Sequence, residues 1–205
     1  MVAETWSARE LLNAGWSEAD LAWEAASERA AEAIAKEDYA RAKDEAGNAL
    51  QLARTGFEPI DPRLGTSLAN YGLCLSLSGH SGAVAPLFRE ALDVWRRADP
   101  WIARMDAPRV ARSSLFHMRM EALHRDTYRA RWQQRWHEMA GEAKARIKAR
   151  IEGLSAGNGA AGATGAEALA RWRRERPAML NDTRKLMAAA FLLLAPPAPK
   201  ADDAA

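Results

Sequence analysis

The stretch from Asp61 to Pro100 is punctuated so closely that it leaves room for little except two helices lying side by side. Asp61-Pro62 opens the first, because a proline in the first turn loses no hydrogen bond that the helix would otherwise make. Leu68, Tyr71, Gly72 and Leu75 then recur on one face, and Gly79 supplies the stop. Val84, Leu87, Phe88, Ala91, Leu92 and Trp95 trace a second apolar face before Asp99-Pro100 ends it. Two helices with one apolar face each bury those faces against each other or a neighbour, so the segment predicts a helix-turn-helix unit.

The same signals extend in both directions. Ser7-Ala-Arg-Glu10 and Ser17-Glu-Ala-Asp20 place a hydroxyl before orphan helix amides and an acid three residues on, predicting two helix starts, with Gly15 closing the first short helix. From Leu21 to Arg54 the small residues Ala26, Ala30, Ala33, Ala42, Ala46 and Ala49 recur at helical spacing around a polar break at Lys36-Glu37-Asp38, predicting two closely packed helices. A third pair is expected from Pro108, its second member a long helix striped by Tyr128, Trp132, Trp136, Met139, Ala143, Ile147, Ile151 and Leu154.

Alanine and arginine are abundant and strand-favouring residues sparse, which makes all-α the expected class. The expected organisation is a helical domain over residues 1–154, a Gly/Ala-rich linker over 155–165, capping helices over 166–195 and a disordered tail over 196–205.

The run Leu68-x-x-Tyr71-Gly72-x-x-Leu75-x-x-x-Gly79, followed by Ala83, Phe88 and Ala91, resembles the tetratricopeptide repeat. The string from Asp61 to Gly72 is similar to the roughly 42-residue variety of kinesin light chains and many bacterial proteins, and Ala30 precedes Gly72 by 42 residues. The resemblance is best over 23–98, while 108–154 reads as a degenerate third pair in which Arg119 stands where the packing glycine belongs. It implies antiparallel helix pairs stacked into a short right-handed superhelix, with the first helix of each pair lining a concave groove. It further implies that Asn70, Leu73 and Leu77 face a bound peptide. The third pair would add Arg112, His117, Met120 and His124 to that groove, suiting it to an acidic peptide or a terminal carboxylate.

Residues 1–62 carry thirteen acids against six bases, and residues 104–150 twelve bases against five acids, although the whole chain is only +2. This polarity opens two alternatives: a nucleic-acid-binding or regulatory accessory protein using 104–150, where Arg131 and Arg135 flank the tryptophans, and a structural homo-oligomer joining acidic to basic ends. The aromatic stripe argues against the former, since Trp132 and Trp136 lie on an apolar face better suited to core or dimer contacts. One cysteine and four scattered histidines suggest no metal site, no catalytic constellation or cofactor motif is recognisable, and no apolar run approaches the ~18 residues of a membrane span. A cytoplasmic binding protein that is not an enzyme is therefore expected, and heavy Ala and Arg usage hints at a GC-rich bacterial genome.

Overall fold

Capping chemistry sets where the helices begin. A computed structural model describes residues 7–13, 15–104 and 125–155, and among these the chain is helical with no strand. Helix α1 (Ala8–Asn13) follows Ser7, whose hydroxyl accepts from the Glu10 amide while the Ser7 amide donates to the Glu10 carboxylate. Gly15, at φ 90°, then turns the chain in the left-handed region as the sequence suggests. Helix α2 (Glu18–Ala35) repeats the device, with Ser17 and Asp20 satisfying each other's backbone amides. The polar break at Lys36-Glu37-Asp38 is a tight corner, and Asp38 caps α3 (Tyr39–Gly56).

Asp61 caps α4 (Pro62–Leu77), and Gly79, at φ 81°, releases the chain into a 3-10 turn (Ser81–Ala83) and α5 (Val84–Arg96). Asp99-Pro100 does more than end that pair. It forms the first turn of a further helix, α6 (Asp99–Ala103), where Pro again sits at a position that needs no amide. The last described element, α7 (Arg125–Ser155), is the long helix expected from the stripe. The expected first helix of the third pair from 108, the linker beyond Ser155, the capping helices and the tail lie outside the described residues.

Antiparallel packing follows from contacts at matching ends. The Cβ position of Gly56, at the end of α3, lies 2.9 Å from Ala19 at the start of α2. At the start of α3 the Tyr39 carbonyl accepts from Ser78, which caps the end of α4. Trp95, near the end of α5, donates its indole N–H to the Pro62 carbonyl in the first turn of α4. Helices α2, α3, α4 and α5 thus pack in succession, and α7 packs on α5.

Trp23 on α2 and Ala53 on α3 are both buried, and so are Gly65 on α4 and Trp95 on α5, each 42 residues further along the chain. A Cβ at Gly65 would lie 2.8 Å from the Trp95 ring, so the missing side chain is the space the indole occupies. Gly72 does the same for Phe88, whose ring would sit 2.6 Å from an added Cβ. One continuous core contains Trp23, Leu68, Phe88, Trp95 and Trp136, while Leu11, Trp16 and the partly buried Leu21 form a smaller cluster at the N-terminal end.

Candidate functional site

Two acids that cap helices also meet one arginine. Asp20 lies in the first turn of α2, and Asp61 precedes α4, whose second residue is Arg63. The Arg63 guanidinium donates from Nη1 to Asp20 Oδ1 at 2.5 Å, from Nη2 to Asp61 Oδ2 at 2.6 Å and from Nε to Asp61 Oδ1 at 3.0 Å. Each carboxylate keeps its capping bond: Asp61 Oδ1 accepts from the Arg63 amide and Asp20 Oδ2 from the Ser17 amide. Local capping and long-range attachment therefore use the same carboxylate of Asp20, one oxygen for each.

All three charged residues are almost fully removed from water, with 4% of Asp20, 2% of Asp61 and 4% of Arg63 exposed. Phe57 stacks its ring 3.7 Å from the guanidinium carbon, and Trp23 and Trp101 approach from 5.6 and 5.9 Å, closing the cluster with cation–π contacts. Burial works against the charged guanidinium, yet hydrogen bonds and Coulombic attraction from Asp61 and Asp20 outweigh it and raise the Arg63 pKa above its ordinary value. Beside it, Trp23 Nε1 donates to Ser67 Oγ at 2.7 Å, and that hydroxyl donates in turn to the Arg63 carbonyl at 2.8 Å. The first turns of α2 and α4 are thereby fixed at the same level, so the first helices of both pairs run in the same direction.

The structure divides the sequence-predicted site residues. Asn70 is 8% exposed, Leu73 is 3% exposed and belongs to the main core, and Leu77 is half-buried at the end of α4, packed against that core. Helical spacing puts Asn70, Leu73 and Leu77 on one side of α4, where Asn70 and Leu73 are both buried. Arg112, His117, Met120 and His124 lie outside the described residues.

No family model, curated protein or solved structure matches the chain. Among the described residues no group of three His, Cys, Asp or Glu side chains is placed to hold a metal ion, and no helix is long and apolar enough to cross a membrane. Cys74 is fully buried, and burial pushes its thiol up to about 12.

On α7 the predicted stripe is buried at Trp136, Met139, Ala143 and Ile147 and partly buried against the core at Ile151, while the side chains of Tyr128, Trp132 and Leu154 lie outside the described residues. The buried positions do not offer the exposed apolar surface that would draw two copies together. The basic residues lie around it. Arg131, Arg135 and Lys148 are exposed, with Arg135 paired to Glu138 and Arg146 to Glu142. Burial lowers the Lys144 pKa, Asp99 opposing and Lys148 reinforcing that shift, and burial alone lowers the Arg150 pKa. The acidic end is less polarised at its surface than the sequence count suggests, because Asp20, Glu24 and Asp61 are interior.

The Arg63 cluster is the most developed polar constellation among the described residues, and it is absent from the sequence-predicted site. Asp20 and Arg63 lie 43 residues apart, and each acid already has a complete local explanation as a helix cap. The available signal was the recurrence of a capping acid at the start of both first helices, with an arginine two residues beyond one of them. Chemically the cluster is a clamp: a guanidinium with both carboxylates engaged and three aromatic rings around it holds helices in register.

Proposed function

We propose that this chain is a protein–protein interaction module, an adaptor or assembly factor whose helix pairs form a short TPR-like right-handed superhelix and hold a peptide or partner surface along their first helices. The observation that carries this reading is the parallel alignment of α2 and α4 by the Asp20–Arg63 and Trp23–Ser67 contacts. Two first helices tied together at their first turns provide a preorganised surface, and preorganisation reduces the ordering cost that association imposes. Leu77, half-buried at the end of α4, and Ala35, which precedes it by 42 residues at the end of α2, are the corresponding edge positions of that surface.

A cytoplasmic setting and a role other than catalysis belong to the same proposal. The nucleic-acid alternative loses support from one specific feature, since stacking on bases needs an accessible ring and Trp136 is fully buried.

Affinity purification from the native cell, comparing Leu77→Arg with Gln51→Arg, tests the reading. Gln51 is exposed on α3, the second helix of its pair. A defined partner should be retained by Gln51→Arg and lost from Leu77→Arg, with both variants showing the helical circular dichroism of the parent. Equal retention by both folded variants would contradict the proposed surface.

A further inference from the structure

We draw no further inference here: the strongest candidate, the row of carboxylates Glu24, Glu28 and Glu32 spaced four residues apart along α2, is a cluster of acidic side chains at which no second feature of the described structure points to a ligand.

Discussion

Arg63 is held by two carboxylates that are themselves committed to helix caps, so its removal exposes the cost of the arrangement. An Arg63→Ala chain retains Asp20 and Asp61 in the interior without their cation, and breaking a buried pair in this way costs about 3–5 kcal/mol. Urea denaturation should show that loss as a lower midpoint; a change under about 1 kcal/mol would mean that water reaches the acids and compensates them. Cys74 gives a pH-dependent counterpart. Its thiol pKa is about 12 in the folded chain against an ordinary value near 8.5. Above that ordinary value the unfolded chain releases the thiol proton while the folded chain keeps it, so folded stability falls as pH rises toward 12. Between about pH 8 and 10.5 the urea midpoint of the parent should therefore fall more steeply than that of Cys74→Ala, and parallel slopes would contradict the assignment.

At the scale of elements, close helix packing depends on the absent side chains of Gly65 and Gly72. A Gly72→Ala methyl meets the Phe88 ring at 2.6 Å, and overpacking of this kind typically costs about 1–3 kcal/mol. Phe88→Leu in the same chain should recover part of that loss, so a double-mutant cycle should show coupling between the two positions; strict additivity would place the ring elsewhere. The α2 cap carries a smaller effect. Ser17→Ala should cost about 1 kcal/mol by thermal or urea unfolding, because the Asp20 amide loses its acceptor.

These elements were legible in the sequence to different degrees, for physical reasons. Ser17, Asp38, Asp61-Pro62, Gly15 and Gly79 act through the backbone within a few residues, and each marks a boundary where the helices begin or end. Asp99-Pro100 is ambiguous in the same local terms, since a proline that terminates one helix also suits the first turn of the next. The Arg63 clamp was not legible, because its three charges resemble a solvated surface until α2 and α4 are brought together. Leu73 shows the converse limit: periodicity gives the side of a helix, whereas its burial depends on what packs over that side.

Over the whole molecule, the described helices place the core between successive elements and leave little large apolar surface, with Leu12 and Tyr39 the exposed large hydrophobics among the described residues. Recognition in the proposed account therefore rests on a shaped surface with half-buried edges, held in register by the clamp at one end of α2 and α4. The ~46 Å length of α7, from 31 residues at 1.5 Å each, exceeds the ~20 Å of α5, so the long helix packs on its neighbour over part of its length only. Site-specific photocrosslinking locates the partner surface, with a photoreactive residue placed in turn at Ala35 and Leu77 on the first helices and at Gln51 and Arg89 on the second helices. Positions 35 and 77 should yield the same partner adduct while 51 and 89 yield none; adducts confined to 51 and 89 would contradict binding along the first helices.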